Sequence, residues 1–543
     1  MAQSSVLPFE PPPATTRHPR AGFENIPRDL SKAELLRYFT YSSEDRHEIF
    51  QCRGDSNKVG FALLLGGVRL TGRFPAGFEL IGSTLLQHVC AQLRIEGMLF
   101  LDYPQRQPTR YEHIERIEQY LGLRSFGGDD QAMVADFVRE QVRAGTPPDD
   151  LPQHTEEHLR AGLIVLPGVT VLDRLVTTAT IKAEEELYEA LIARLTHDNK
   201  ECVLALLVIS EGEKITPFQR LLQAARRPSP DALARELDHL EQVRALIPES
   251  LDLSDLPQSL VERWARLTGG LPTRSLQRFR ESKRLALLLC WLWRLRTELV
   301  DTALTIGNDL IAGVLRRAKH SFEKARQQQQ RRMEEALKVC GEVMTLLLDQ
   351  EIPDERVRAE IFQLYSRERI AGLEAECQAL ATPAQQAYVG ELRKRYSYVR
   401  QFSPRLLEAF TLRAVIPDEP LLKAVEYLRE RNKEGQRGAD DRAPLDFVPS
   451  SWRPIVCPQA GVVDRAVWEI CLLNSLSQAL KSGNVNVPHS RAFQPLETYL
   501  LDREQWAKQK AEFASHLPLD YDEHWPRVKA LLSEQLRLLA GVY

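Results

Sequence analysis

Apolar residues recur along this chain in short runs at helical spacing, separated by polar turn and cap signals. Residues 26–75 hold three such runs. Ser31-Lys32-Ala33-Glu34 opens the first as a capping box: the Ser31 hydroxyl accepts an orphan backbone N–H and Glu34 reaches back to the cap. Leu35, Leu36 and Phe39 then give one apolar face. Ser42-Ser43-Glu44-Asp45 repeats the start signal, and Ile49 and Phe50 repeat the face. Arg53-Gly54-Asp55-Ser56 reads as a turn, with Asp55 or Ser56 placed to cap a third helix over 57–70 carrying Val59, Phe61, Leu63, Leu64 and Val68. Arg53, Asn57, Lys58, Arg69 and Arg73 are the polar groups left to face outward. Arg and Lys neutralise phosphates or reach guanine, and Asn reads adenine. The layout is that of a helix-turn-helix DNA reader, although a three-helix scaffold with an ordinary solvated basic face has the same pattern.

The pattern continues. A helix is predicted over 83–93, and another from Thr109 as N-cap to Leu121, where Gly122 stops it. Arg106, Arg110, His113, Arg116 and Arg124 lie on or near this helix, as a second DNA contact or, with Glu112, Glu115 and Glu118 interleaved, as a mixed-charge surface. Residues 146–150 form a linker. A helix over 154–161, a turn over 162–168 and a long helix opened by Thr170 make a third helix-turn-helix, with Thr170, Arg174 and Lys182 as contact candidates. Residues 200–260 are helical with proline breaks. From Ser282 a long helix begins, apolar on nearly every face through 300, which requires burial. Arg316, Arg317, Lys319, Lys324, Arg326, Arg331 and Arg332 follow, as the solvated end of an intramolecular bundle or as the basic flank of a subunit interface. After a polar linker over 432–442, Asp464-Arg465 leads into a helix with Trp468, Leu472, Leu476 and Leu480, and 484–487 is a short strand. The predicted fold is mainly α: several small helix-turn-helix modules, then a long-helix bundle, then a small α/β C-terminal segment. The expected divisions are a disordered tail over 1–22, paired helical modules over 23–145, a third module over 150–260, a helical dimerisation region over 261–431 and a linker domain over 444–543.

Composition sharpens this only in part. The length of 543 residues suits several domains. A formal net charge of −4 means that any nucleic-acid surface must arise by segregation of charge. The eight cysteines form no C-x-x-C pair, so zinc-ribbon spacing is absent, and buried thiols in a reducing cytoplasm are expected. Residues 1–22 lack the apolar core of a signal peptide, and the apolar runs at 202–209 and 285–293 fall short of a membrane span. A cytoplasmic protein without a membrane partner is expected. His154-Thr155-Glu156-Glu157-His158 matches H-x-x-E-H, the inverted zinc-protease motif. So short a pattern arises easily by chance, and Glu is favoured at a helix N-terminus anyway. No metal ligand is assigned.

One stretch is longer and more specific. Arg53-Gly54-Asp55-Ser56-Asn57-Lys58-Val59-Gly60-Phe61-Ala62-Leu63, followed by Val68-Arg69-Leu70-Thr71-Gly72-Arg73-Phe74-Pro75, resembles the N-terminal region of the replicative transposases of the Tn-three transposon family. Their pattern runs from R-G-D-x-N-K/R-x-G-F-A-L to L-R-x-x-G-R-F-P. Thr109, Arg110 and His113 resemble the family's T-R-x-x-H helix, and 165–175 resembles its L-P-x-x-T-x-L-x-R-L element. The run from Ala479 to Val485 resembles its A-L-R-S-G-D-I/V, with Lys481 for Arg and Asn484 for Asp. Ser490 and Arg491 follow, to bind phosphate or to tie the linker to its neighbours. The resemblance implies the DNA-binding and dimerisation half of a transposase, which recognises the terminal inverted repeats of a transposon. The implied partners are double-stranded DNA and a second copy, as a homodimer or with full-length transposase. The family cuts with three carboxylates holding two metal ions in an RNase H-like domain that follows the matched region. The expectation is therefore binding without cutting: no catalytic residue and no cofactor in this chain, with divalent metal such as magnesium serving only the missing catalytic domain. Two rivals are a helical protein-interaction scaffold with no DNA role, and a zinc hydrolase built on His154 and His158.

Overall fold

Both serine caps form as their chemistry dictates. The Ser31 hydroxyl accepts the Glu34 N–H while Glu34 takes the Ser31 N–H at 2.8 Å, opening α1 (Lys32–Tyr38). Ser42 and Asp45 make the same exchange at the start of α2 (Ser43–Phe50). The structure, a computed structural model, describes residues 26–78, 81–96, 103, 107–223, 227–248, 251–351, 353–380, 384–436, 439–459, 461–516 and 521–542. It is mainly helical, with one two-stranded sheet among the described residues. By its contacts the chain divides into two units, Met1–Pro217 with Glu249–Trp291, and Phe218–Pro248 with Leu292–Tyr543. These divisions differ from those read along the sequence, because each unit draws on segments distant in the chain.

In the first unit, α3 (Asp55–Thr71) is capped by Gly54 at φ 85° without a side-chain bond, so neither Asp55 nor Ser56 is the cap. It is a core helix: every residue from Val59 to Val68 is buried. Around it pack α1, α2, α4 (Ser83–Leu93) and α5 (Gln107–Leu121). Helix α5 starts two residues before Thr109, which is therefore not its cap; Pro108 fits the first turn, where its missing N–H costs nothing. Ile26, Phe39, Ile49, Phe61, Val89, Ile117 and Leu123 share one apolar cluster. The two modules expected over 23–145 thus have a common core through residue 123. Then comes α6 (Gly128–Arg143), which the sequence reading did not separate out, followed by α7 (Leu151–Ala161) and α8 (Val169–Ile192). Helix α6 packs along α8, and α7 packs against both.

After α9 (His197–Ala205), the chain passes through α10 (Pro217–Leu221) and α11 (Pro230–Leu246), then returns to the first unit with α12 (Gln258–Gly270) and α13 (Thr273–Gln277). Trp264 of α12 lies 4.9 Å from the Tyr188 ring of α8, and Arg263 donates to the Gly145 and Thr146 carbonyls. Helix α14 (Glu281–Leu348) runs 68 residues. Its Leu285–Leu292 stretch is buried on all faces, as its all-round apolar sequence required.

The second unit also contains α15 (Asp354–Leu364), α16 (Arg367–Leu380), α17 (Ala384–Val399), α18 (Ser403–Ala409), β1 (Arg413–Ala414), α19 (Pro420–Lys433), α20 (Arg453–Val456), α21 (Arg465–Lys481), β2 (Val485–Asn486), α22 (Arg503–His516) and α23 (Tyr521–Val542). The helix read after Asp464-Arg465 is α21, and Asp464 caps it by accepting the Ala466 and Val467 N–H groups. Trp468 at its centre is fully buried between the edges of Tyr427 and Phe447, and its Nε1 donates to the Pro444 carbonyl. The stretch read as a polar linker is tied into the same core, since Asp440 accepts from Tyr427 and Arg431. The strand expected over 484–487 is β2, paired antiparallel with β1 in the register Arg413 to Asn486 and Ala414 to Val485. No described helix is long and apolar enough to cross a membrane.

Candidate nucleic-acid interface

The cations of the first motif divide into outward and inward groups. Arg53 is exposed, and its carbonyl accepts from Asn57 Nδ2 at 2.7 Å. Lys58 pairs with Asp55 at 2.8 Å and lies over the Phe50 ring. Arg69 does not face outward. Its guanidinium grips the buried Asp45 carboxylate through two bonds of 2.8 and 2.7 Å, and Tyr120 donates to the same carboxylate. Burial raises the Asp45 pKa, but the hydrogen bonds and charge of Arg69, with bonds from Tyr120 and Ser42, bring it below its ordinary value. Arg73 does not face outward either: at 5% exposure it pairs with Glu156 at 2.7 Å and donates through Nε to the Pro167 carbonyl. Both were expected at the surface. Their carboxylate partners come from segments 24 and 83 positions away, which hydrophobic periodicity does not reveal.

The residues of α5 are mostly internal as well. Arg110 donates to the Pro75 and Ala76 carbonyls, fixing the chain that leaves α3. Arg116 donates to the Glu48 carbonyl and carboxylate and to Gln51, and stacks over Phe61. His113 is in the core, 3.1 Å from the Tyr103 hydroxyl; burial first, then the Arg116 charge, push its pKa down to about 4. Arg124 pairs with Asp130. Arg106 lies outside the described residues. The mixed-charge alternative describes this helix better than a second DNA contact does.

The third helix-turn-helix has the opposite character. Its turn is bolted down on both sides. Arg124 and Ile164 form a parallel bridge, the Leu166 N–H donates to the Gly72 carbonyl, and Arg73 holds Pro167. Gly72, at φ 75°, ends α3 in the left-handed conformation and leaves the space that the Arg160 guanidinium fills. Helix α8 therefore leaves this turn in a fixed direction. Leu172, Val176, Ala183 and Leu187 form its buried face. On the opposite side Thr170, Val171, Arg174, Thr177, Thr178, Ile181 and Lys182 are all exposed. Arg174 and Lys182 pair with no carboxylate among the described residues. Further along α8, Glu186 pairs with Arg139 and Arg143, Glu185 pairs with Arg280 and Glu184 accepts from the Tyr188 hydroxyl, while Glu189 is exposed. From Thr170 to Lys182, α8 thus presents an outward face with two cations that pair with no described carboxylate, and the partly buried Asp173 is the carboxylate of that stretch. Thr170, Arg174 and Lys182 were read from the sequence; Val171, Thr177, Thr178 and Ile181 were not, and the run of β-branched residues was the signal available.

The remaining motifs are structural. His158 stacks on Phe137 with ring centroids 4.1 Å apart, and Glu156 serves Arg73. Among the described residues no group of three or more His, Cys, Asp or Glu could hold a metal. Ser490 donates to Asp301 at 2.5 Å, with the Arg491 and Ala492 N–H groups on the same carboxylate, which ties this loop to α14.

Comparison with known proteins gives two findings. Residues 16–179 match a family profile described as a domain of unknown function, DUF4158. Nearly the whole chain is similar to transposases. It is 25% identical over 533 residues to the transposase for transposon Tn1546 of Enterococcus faecium, covering 97% of this chain and 53% of that protein. With the transposase for transposon Tn501 of Pseudomonas aeruginosa it shares 28% identity over 519 residues, covering 94% and 52%. With the transposase for transposon gamma-delta of Escherichia coli strain K12 it shares 27% identity over 483 residues, covering 88% and 48%. The chain spans about half the length of these relatives.

Proposed function

We propose that this chain binds the terminal inverted repeats of a transposon, as the DNA-binding part of a transposase of the Tn-three type. The observation that carries the reading is the outward face of α8 from Thr170 to Lys182, which follows a rigid turn, is cationic at Arg174 and Lys182 and has the partly buried Asp173 as its carboxylate. Such a face fits a phosphate-lined major groove, and the relatives' names place them on transposons. Arg53 is a further exposed cation. Arg69, Arg73, Arg110 and Arg116 act indirectly, by holding the scaffold that presents α8. Divalent metal would serve the catalytic part of such a transposase, and no residue described here is assigned to it.

The test is selection of duplexes by the purified chain from a randomised library. A consensus is expected that recurs in inverted orientation on either side of the coding sequence, bound with an affinity that falls steeply with salt. Arg174→Ala should keep the melting temperature and flatten the plot of log affinity against log salt by about one unit. Arg69→Ala should do the reverse, lowering stability and sparing the slope. Selection of no consensus would refute the reading.

The chain is also proposed to pair with a second copy or with full-length transposase. Met333, Leu337, Met344 and Leu347 are exposed at coiled-coil spacing on the distal part of α14 and offer a surface for it. Sedimentation equilibrium should show a dimer that Leu337→Glu dissociates; a monomer at all concentrations rejects the pairing.

A further inference from the structure

The outward face of α8 is unusual in kind as well as in charge. Val171 and Ile181 are 40% and 54% exposed, and Thr170, Thr177 and Thr178 surround them. β-Branched residues lose side-chain freedom in a helix, a cost that burial offsets elsewhere and that these exposed residues bear without it. The Thr178 hydroxyl is turned back to the Arg174 carbonyl at 2.8 Å, which leaves its methyl as the group presented to solvent. Beside its two cations this helix therefore offers the methyl groups of Val171, Thr178 and Ile181.

We infer that α8 reads thymine 5-methyl groups in the major groove through Val171 and Ile181, with Arg174 and Lys182 holding the flanking phosphates. The inference rests on the DNA-binding reading above and specifies what that site recognises. The major groove presents the thymine methyl as its one apolar feature, and an apolar or threonine methyl contact is how a side chain detects it. The unpaired cations make a nucleic acid the complementary occupant, whereas an apolar protein surface would gain nothing from Arg174 and Lys182. Val171 and Ile181 are ten residues apart in α8, so their side chains sit about 15 Å apart along the axis. That span corresponds to about four base pairs, so the bound site should carry thymines at roughly that separation.

The experiment uses the full chain and duplexes it selects from a randomised library, resynthesised with deoxyuridine in place of thymidine. Only the 5-methyl groups are lost. Affinity should fall about fourfold for each contacted methyl removed. Val171→Ala and Ile181→Ala should each weaken the thymidine duplex and lose the distinction at one position, while keeping the native melting curve, since both side chains are exposed. Arg174→Ala should weaken thymidine and deoxyuridine duplexes equally. Equal affinity for the two duplexes, or alanine variants that bind as the native chain does, would overturn the methyl readout and leave DNA binding intact. Failure to select any duplex would overturn both.

Discussion

His113 shows what burial does to a single group in this scaffold. At 5% exposure, with the Tyr103 hydroxyl 3.1 Å away and the edge of Phe61 against its ring, it has a pKa pushed down to about 4, by burial first and the Arg116 charge second. An unfolded histidine titrates near 6.5. The folded value is the lower one, so between about pH 6.5 and 4 the unfolded chain takes up a proton that the native chain refuses. Stability is therefore full above about pH 6.5 and declines as the pH falls towards 4, by on the order of 3 kcal/mol in total. His113→Asn keeps a polar atom for Tyr103 and does not titrate. Urea midpoints should drop between pH 7 and 5 for the native chain by more than for the variant; parallel curves would show that His113 is not buried neutral. Asp45 leaves this window clear. Its folded pKa lies below the ordinary carboxylate value, so its contribution is present above about pH 3.9 and is lost only below it.

At the scale of elements, two glycines test whether α3 is a core helix. A Cβ on Gly66 would sit 2.3 Å from the Phe39 ring, which is itself fully buried. Gly66→Ala should destabilise by about 1–3 kcal/mol, although alanine is the better helix former. Gly341 lies within α14 with nothing within 4 Å of its Cβ position, so Gly341→Ala should stabilise by up to about 1 kcal/mol. Chemical denaturation of the two variants should move in opposite directions, and shifts of the same sign would contradict the placement of α3. The contrast also shows which parts of the fold the sequence made legible. Helices opened by Ser31, Ser42 and Asp464 were readable because a cap is settled within three residues. The existence of α3 was readable too, but its burial was not. Its polar residues looked like an outward stripe until Asp45 and Glu156 arrived from other segments to take Arg69 and Arg73 inside. Much of the motif from Arg53 to Arg73 is thus architecture: a turn glycine, packing glycines, core side chains and two internal ion pairs. The candidate contact face lies one hundred residues later on α8, where Thr170 and Arg174 were legible and the apolar members needed knowledge of the opposite, buried face.

At the scale of the whole molecule, the first unit is not continuous in sequence, and this limits how the proposed DNA-binding part can be isolated. Residues 249–291 return to it and bring Leu260, Val261 and Trp264, all buried, with Trp264 against Tyr188 of α8. They also bring Asp255, which takes two bonds from Arg194 just beyond α8. A fragment ending at Pro217 would therefore uncover Tyr188 and loosen the C-terminal half of the helix, which carries Ile181 and Lys182. A cut at residue 179, where the family profile stops, would lose those two residues outright. The fragment ending at Pro217 should melt with low cooperativity, bind a hydrophobic dye and hold selected duplexes more weakly than the full chain. In the full chain, Trp264→Ala should cost about 3–5 kcal/mol by emptying the same contact. A fragment that melts cooperatively at the midpoint of the full chain and binds DNA as tightly would show that 249–291 do not belong to this unit. The physical reason to expect otherwise is that Tyr188, on the second half of α8, packs against Trp264, which residues 249–291 supply.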